Sequence, residues 1–230
     1  MARKKSSIND IQKANNIQLH PRNNTQKGYL NFLKHTNQII VLGPAGTGKT
    51  FLASAYAAKL YLQGKINKII VTRPRVEVDE EWGALPGTLH KKTAPWAFPV
   101  MEILEEYMGK ARFLEAQKSG DVEVLPLAFM RGRTLQDAFC ILDEAQNTTV
   151  NQMKMFVTRI GDNSKIVING DIAQKDIHSE SGLGWCLNMM RKYDYLSASL
   201  VEFSYSEVER SKACAEWVKA MHEDENQVHD

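Results

Sequence analysis

Cysteine is scarce in this sequence: its 230 residues include only Cys140, Cys186 and Cys214, which lie far apart. An odd number of cysteines without a Cys-x-x-Cys pair excludes a disulfide framework and the usual cysteine-based zinc site. The six histidines are also scattered, without metal-ligand spacing. These features favour a reducing, cytoplasmic location.

Long apolar segments and a strong charge imbalance are absent too. No run approaches the roughly 18 residues that a membrane span needs, and the polar N-terminus has no signal-peptide core, so no membrane partner is expected. The formal net charge is only +2, so a nucleic-acid surface has to be a local basic patch. With 43% hydrophobic and 24% charged residues, the chain is typical of one globular domain with a sizeable core.

One segment carries a complete phosphate-binding pattern, the Walker A motif. A strand-like run, 39–42, precedes it and an alanine-rich helical run follows, which is the context that the motif requires. Its glycines let backbone N–H groups point at phosphate oxygens, Lys49 reaches the β- and γ-phosphates, and Thr50 holds Mg²⁺ through its hydroxyl. The residues predicted to bind ATP are Gly43, Pro44, Ala45, Gly46, Thr47, Gly48, Lys49, Thr50 and Phe51.

Two adjacent acids at the end of a later apolar run predict hydrolysis. Asp143 and Glu144 directly follow the run Cys140-Ile141-Leu142. At the carboxyl end of a parallel strand, Asp143 is expected to coordinate Mg²⁺ beside Thr50. Glu144 is then placed to polarise the attacking water as general base. The alternative is a pair of solvated acids that opens the next loop.

The strand-like run 165–169 also ends in a polar turn. Gly170 supplies the sharp turn, and Asp171 is expected to accept backbone N–H bonds within it. Gln174 is predicted to contact the γ-phosphate or its attacking water and to act in catalysis. An ordinary strand-to-loop turn explains the same residues.

Strand-like and helical runs alternate along the chain, which predicts an α/β fold: a parallel sheet with helices on both faces. The predicted strands are 38–42, 68–72, 139–142, 165–169 and 198–203. Asn24 or Thr25 is expected to cap the first helix. The predicted organisation is a flexible N-terminal arm at 1–22, one domain at 23–221 with an inserted element at about 73–138, and a flexible acidic tail at 222–230.

Hydrolysis also favours a guanidinium group, because negative charge spreads over the γ-phosphoryl group in the transition state. Spacing alone does not rank the candidates, and a surface role is the ordinary alternative for each of them. The candidates are Arg73, Arg75, Arg131, Arg133, Arg159 and Arg210.

Together the motifs resemble the PhoH-like family, the phosphate-starvation-inducible ATPases. The most specific pair is Met130–Leu135 followed by Leu142–Thr149, and the resemblance extends from about Asn24 to about Met221. Further matching pieces are Thr72-Arg73-Pro74, Val76-Glu77, Leu85-Pro86-Gly87, Gly170-Asp171 and Gln174. The length is similar to the compact form that lacks a PIN nuclease domain, such as the members carried by bacteriophages.

The resemblance implies a P-loop NTPase with a RecA-like core similar to the first motor domain of superfamily-one helicases. It implies ATP and Mg²⁺ as cofactors, single-stranded RNA as a partner, and assembly into a homo-oligomeric ring, with a hexamer as one form. Gln26 matches an adenine-reading glutamine, and Arg210 matches an arginine that acts on ATP, in cis or on a neighbouring subunit. Arg73, Arg131 and Arg133 match positions that face the nucleotide or the RNA, and a structural ion pair is the alternative for Arg131 and Arg133. The family usually has His-Pro after the arginine, where this chain has Ser211-Lys212.

The leading interpretation is an ATPase that couples hydrolysis to RNA binding or remodelling. The first alternative is an ATP-dependent regulatory switch or assembly factor without RNA activity. An RNA-cleaving enzyme ranks lower, because no acid or Cys/His cluster stands apart from the ATP site. A small-molecule kinase is disfavoured, since adjacent Asp143 and Glu144 favour water as the phosphoryl acceptor.

Overall fold

A six-stranded parallel sheet forms the centre of the protein in the part of the chain that the structure describes. This computed structural model describes residues 6–74 and 89–209, with 213, 214, 216, 217 and 220 near the C-terminus, and for 89–96 the backbone alone. The strands are β1 Gln38–Leu42, β2 Lys68–Thr72, β3 Val122–Val124, β4 Ala138–Leu142, β5 Lys165–Gly170 and β6 Ala198–Glu202. Their order across the sheet is β3-β2-β4-β5-β1-β6.

Helices connect the strands. They are α1 Ile8–Asn16, α2 Asn24–His35, α3 Lys49–Leu62, α4 Leu89–Met108, α5 Lys110–Ser119, α6 Val150–Val157 and α7 Gly182–Lys192. Short 3₁₀ helices lie at Leu127–Met130, Ala145–Asn147, Ile172–Gln174 and Tyr205–Glu207. None of the helices in the described residues is long and apolar enough to cross a membrane.

The strands bury side chains on both faces, and two apolar clusters cover the two sides. Ile39 and Val41 pack with residues of α1 to α5 on one face. Ile40 and Leu42 belong to the second cluster, with residues of α6 and α7, on the other face. This two-sided burial is typical of parallel sheets, whose crossover helices lie on both faces. The predicted fold class, an α/β fold with a parallel sheet and helices on both faces, is confirmed.

The predicted strands agree with the structure to within one residue at each end. One local detail differs. The N-cap of α2 is Asn23, whose side chain accepts from the Gln26 N–H, rather than Asn24 or Thr25. Within the inserted element, β3 is a parallel edge strand beside β2, and Gly109 separates α4 from α5.

The N-terminal segment differs from the predicted flexible arm, because residues 8–16 form helix α1. A capping box between Ser7 and Asp10 closes its first turn. Ala14 and Ile17 are buried in the core cluster on that side of the sheet. Too few apolar residues contact the core to produce a clear periodicity, so the sequence alone did not reveal the helix. The predicted tail, 222–230, and residues 75–88 of the inserted element lie outside the described residues.

The start of α7 lies so close to the loop after β4 that only glycine fits there. A Cβ atom on Gly182 would lie 2.5 Å from Thr148 Oγ1 and 2.6 Å from the backbone oxygen of Thr149. In contrast, a Cβ on Gly184, one half-turn later, would meet only Ser181 Cβ at 3.9 Å. The Gly182 N–H also donates to the Thr148 carbonyl at 2.7 Å. The glycine thus joins α7 to the loop that follows β4.

We therefore expect Gly182→Ala to lower the free energy of unfolding by about 1–3 kcal/mol through overpacking. The matched control, Gly184→Ala, should be neutral or stabilising by up to about 1 kcal/mol, because alanine favours a helix. Urea denaturation of both variants measures the difference. Equal stability of the two variants would contradict the close approach.

Candidate functional site

The loop between β1 and α3 has the backbone of a phosphate-binding loop. Gly43, Gly46 and Gly48 have φ of 135°, 89° and 88°, values that a side chain disfavours. Lys49 begins α3, and its Nζ donates to the carbonyl oxygens of Gly43 at 2.5 Å and of Pro44 at 2.8 Å. The ammonium group thus lies over the loop, beside the N-terminus of a 14-residue helix, which favours bound anions.

Two acids and a hydroxyl group lie next to this loop. Thr50 Oγ1 donates to Asp143 Oδ1 at 3.0 Å. From β5, the buried Asn169 approaches the same hydroxyl, with Nδ2 3.4 Å from Thr50 Oγ1. Asn169 Oδ1 has no hydrogen-bond partner among the described residues. Carboxylate, hydroxyl and amide oxygens are the ligands that Mg²⁺ prefers, so this donor set fits a magnesium ion with its waters.

Burial perturbs the charged groups of the site in opposite directions. It raises the pKa of the Asp143 carboxyl, and the neighbouring Glu144 adds to the effect, while the Thr50 hydrogen bond, Arg73 and Lys49 oppose it. Burial also lowers the pKa of the Lys49 ammonium, against the attraction of Asp171, Asp143 and Glu144. Both charged forms are therefore destabilised by burial. Groups with such shifts in a cleft are typical of functional sites.

Glu144 has an unusual backbone and two side-chain contacts. Its φ of 52° and ψ of 41° put it in the left-handed region, which is uncommon for glutamate. Gln146 Nε2 donates to Glu144 Oε2 at 2.6 Å. Arg73, which follows β2, has its NH2 atom 4.0 Å from Glu144 Oε1. Strained residues cluster at functional sites, and Glu144 lines the pocket.

The turn after β5 lies opposite these acids. Asp171 Oδ1 accepts from the Ala173 N–H at 3.1 Å, as the sequence predicted. Its Oδ2 atom is buried without a partner in the described part of the chain. Gln174 lines the pocket, and its carbonyl oxygen lies 3.3 Å from Gln146 Nε2. The turn is thus fixed by hydrogen bonds between side chains and its backbone, and Gln174 lies at the wall of the site.

These elements enclose a cavity of about 330 Å³, which is the size of a small-molecule site. The residues from β1–α3 that line it are Ala45, Gly46, Gly48, Lys49, Thr50 and Phe51. The opposite wall consists of Asp143, Glu144, Gly170, Asp171 and Gln174, and Pro99 of α4 contributes from the inserted element. The cavity brings together the three predicted motifs.

Gln26, the predicted adenine-reading residue, contacts the phosphate loop directly. Its Nε2 donates to the Thr47 carbonyl at 3.1 Å, and its Oε1 accepts from the Arg22 N–H at 2.8 Å. Only 4% of the residue is exposed. Phe51 is 41% exposed, and its ring meets Tyr107 of α4 edge-on at 5.9 Å.

The predicted arginines lie in different places. Arg73 is beside Glu144, as described above. Arg133 makes a bidentate ion pair with Glu123 on β3, with both N–O distances 2.9 Å, which is the structural role weighed against a nucleotide or RNA contact. Arg131 is exposed at the end of a 3₁₀ helix. Arg75 and Arg210 lie outside the described residues.

Sequence reasoning did not identify two residues of the site, Asn169 and Gln146. Asn169 was assigned to a strand, and only the pairing of β5 with β1 brings it to Thr50. Gln146 stands two residues after Glu144, and its contacts with Asp171 and Gln174 span 25 and 28 residues. A polar residue at the carboxyl end of a buried strand was the available signal for Asn169.

A family model and several relatives match most of this chain. The family model described as PhoH-like protein matches residues 18–222. A PhoH-like protein of Bacillus subtilis (strain 168) is 42% identical over 197 residues, which cover 85% of this chain and 61% of the relative. Protein PhoH of Escherichia coli (strain K12) is 40% identical over 198 residues, which cover 84% of this chain and 55% of the relative.

The chain therefore spans less than two thirds of the length of these two relatives. The crystal structure of Pif1 helicase from Candida albicans is similar with a TM-score of 0.41 and 15% identity, over 81% of this chain and 40% of that chain. The family match covers most of the sequence and includes all the motifs that line the cavity. This chain belongs to the PhoH-like family.

Proposed function

We propose that this protein binds and hydrolyses ATP, and that it couples hydrolysis to single-stranded RNA as a homo-oligomer. One observation carries the ATPase part of the proposal. Thr50 and Asp143 meet at 3.0 Å beside Lys49, and Glu144 lines the same cavity. Binding alone needs only the phosphate loop, whereas a second acid beside the metal-binding pair is what water activation requires.

Each group has a chemical role in this proposal. The N–H groups of the phosphate loop and the Lys49 ammonium hold the phosphates. Thr50 and Asp143 hold Mg²⁺, which neutralises charge on the phosphoryl oxygens when bound. Glu144 accepts a proton from the attacking water, and Gln174 orients that water or the γ-phosphate. The Pro44 and Gly43 carbonyls release Lys49 when phosphate oxygens replace them.

Two variants separate binding from hydrolysis. Lys49→Ala should lose ATP binding, because the loop loses its cation. Glu144→Gln should bind ATP normally but turn over about 10²- to 10⁴-fold more slowly, because an amide cannot accept the proton. Fluorescent-nucleotide binding and phosphate release measure the two steps, with the exposed Glu202→Gln on β6 as the control. Normal turnover in both variants would refute the site.

The RNA part of the proposal is supported by the family and by Arg131, which is exposed beside Gly132 on the segment between β3 and β4.

We expect Arg131→Ala to weaken binding of single-stranded RNA and to reduce the salt dependence of binding by about one phosphate contact. Arg133→Ala should instead lower stability, since it removes the bidentate ion pair with Glu123. RNA titrations at several stated salt concentrations, with urea denaturation, distinguish the two effects. If Arg131→Ala binds RNA as tightly as the unmodified protein, Arg131 does not contact the RNA. If the unmodified protein does not bind RNA, the regulatory-switch alternative is favoured.

The oligomeric part is a homo-oligomeric ring, with a hexamer as one form, in which Arg210 acts on the ATP of a neighbouring subunit. In the proposed ring, a neighbouring subunit supplies the surface that faces the cavity. Among the described residues that line the cavity, Lys49 is the one cation. The proposal therefore takes a second positive group, an arginine, from a neighbouring subunit. A cytoplasmic location completes the proposal, in keeping with free thiols at Cys140, Cys186 and Cys214.

Mixed oligomers test the role of Arg210. Arg210→Ala and Lys49→Ala should each be inactive alone. Mixing them should restore part of the ATPase activity, because an intact arginine of one subunit then faces an intact phosphate loop of another. The rate is measured against the mixing ratio, with two portions of Lys49→Ala as the control. No recovery, in mixtures shown by size to exchange subunits, would place the arginine in cis or outside the site.

A further inference from the structure

Gln146 is almost completely buried between the two polar segments that face the nucleotide cavity, with 1% of the residue exposed. Its Nε2 donates to Glu144 Oε2 at 2.6 Å and lies 3.3 Å from the Gln174 carbonyl oxygen. Its Oε1 accepts from the Asp171 N–H at 3.1 Å. We infer that Gln146 is a positioning residue for hydrolysis, which fixes the Glu144 carboxylate relative to the turn 171–174. This inference rests on the proposed ATPase function.

The orientation of the Gln146 amide is determined by its neighbours. A rotation by 180° would turn the amide oxygen toward the Glu144 carboxylate and the NH₂ group toward the Asp171 N–H. Both contacts would then be repulsive, because two acceptors and two donors would face each other. The Gln146 backbone is also fixed, since its carbonyl oxygen accepts from Ser181 Oγ at 2.7 Å. The amide therefore presents its N–H group to Glu144.

Little else restrains the Glu144 side chain. Arg73 NH2 is 4.0 Å from Glu144 Oε1, and 35% of the Glu144 side chain is exposed. A hydrogen bond to a carboxylate is stronger than one between neutral groups, and a distance of 2.6 Å is short. The bond from Gln146 is thus the main described restraint on the general base. Without it, the carboxylate can rotate away from the water that it must polarise.

The turn on the other side is attached at a second point. Asn147 Nδ2 donates to Asp176 Oδ2 at 2.8 Å, and the Asp176 N–H donates to Asn147 Oδ1 at 2.8 Å. Gln146 and Asn147 thus hold both ends of the segment 171–176 against the loop that carries Glu144. A shift of that segment is transmitted to the general base through the Gln146 amide.

The experiment replaces Gln146 by methionine, which has a similar shape but no amide. Gln146→Met should lower kcat by about 10- to 100-fold, which is the loss expected for a hydrogen bond to a charged group. The Kd for ATP should change by less than about threefold, because the phosphate loop is untouched. The matched control is Gln152→Met, which removes a glutamine amide from the cap of α6 without contacting Glu144. That control should retain kcat.

A double variant separates positioning from a structural role. In the Glu144→Gln background, adding Gln146→Met should lower kcat by less than about threefold, because the group that Gln146 positions is already lost. A structural role predicts the full 10- to 100-fold loss in both backgrounds. Gln146→Glu provides a second test, since it keeps the shape and the acceptor for the Asp171 N–H but faces Glu144 with a like charge. Its kcat should fall at least as far.

The outcomes separate this inference from the ATPase proposal. If the unmodified protein and Gln152→Met do not hydrolyse ATP, the proposed function fails. If both hydrolyse ATP and Gln146→Met or Gln146→Glu keeps or raises kcat, the positioning role is wrong. If neither Gln146 variant folds, the amide is a structural element and the inference is rejected as well.

Discussion

The three polar segments meet at one edge of the sheet because β1, β5 and β4 pair in parallel and end at similar positions. Leu42 of β1 is paired with Gly170 of β5, and Ile168 of β5 is paired with Leu142 of β4. All three strands therefore end at nearly the same level of the sheet. Because each is followed at once by a polar segment, the phosphate loop, the two acids and the turn after β5 meet around one cavity. A register shift by one residue would turn the strand side chains to the opposite face and break this convergence.

The electrostatics of the cavity favour a bound cation and an anionic ligand together. Burial raises the pKa of Asp143, and Glu144 beside it adds repulsion. Lys49 is half-buried, and in the structure its ammonium donates to two carbonyl oxygens of its own loop. In the proposed function, Thr50 and Asp143 would hold a magnesium ion, which would relieve the repulsion between the acids, and phosphate oxygens would place negative charge beside the Lys49 ammonium. This distribution of charge supports the proposal that the ligand is a magnesium–nucleotide complex.

Much of this arrangement was predictable from the sequence because it is local. The runs 38–42, 139–142 and 165–169 are each followed at once by a glycine or an acid, which defined both a strand and the polar segment after it. Parallel pairing then implied that these segments meet. The order of the strands, however, is determined by which helix covers which face, and no local pattern contains that information.

The contacts that the sequence did not reveal connect distant residues. Gln146 reaches Asp171 because Glu144 adopts a left-handed backbone, which turns the following 3₁₀ helix back toward β5. For Arg133 the sequence left open a ligand contact or an ion pair. Its partner is Glu123, which lies on the edge strand β3, and the sequence does not show that the two residues meet. Helix α1 was missed because it contacts the core mainly through Ala14, which is too small to stand out in a hydrophobic pattern.

The central claim is that this edge of the sheet hydrolyses ATP with the help of a divalent cation. Phosphate release from ATP by the unmodified protein, with Mg²⁺ and then with excess chelator, tests it most directly. With Mg²⁺ we expect many turnovers per protein molecule, and with chelator we expect phosphate release at the level of the buffer blank. Tight ATP binding without multiple turnovers in Mg²⁺, or equal release in the presence of chelator, would contradict it.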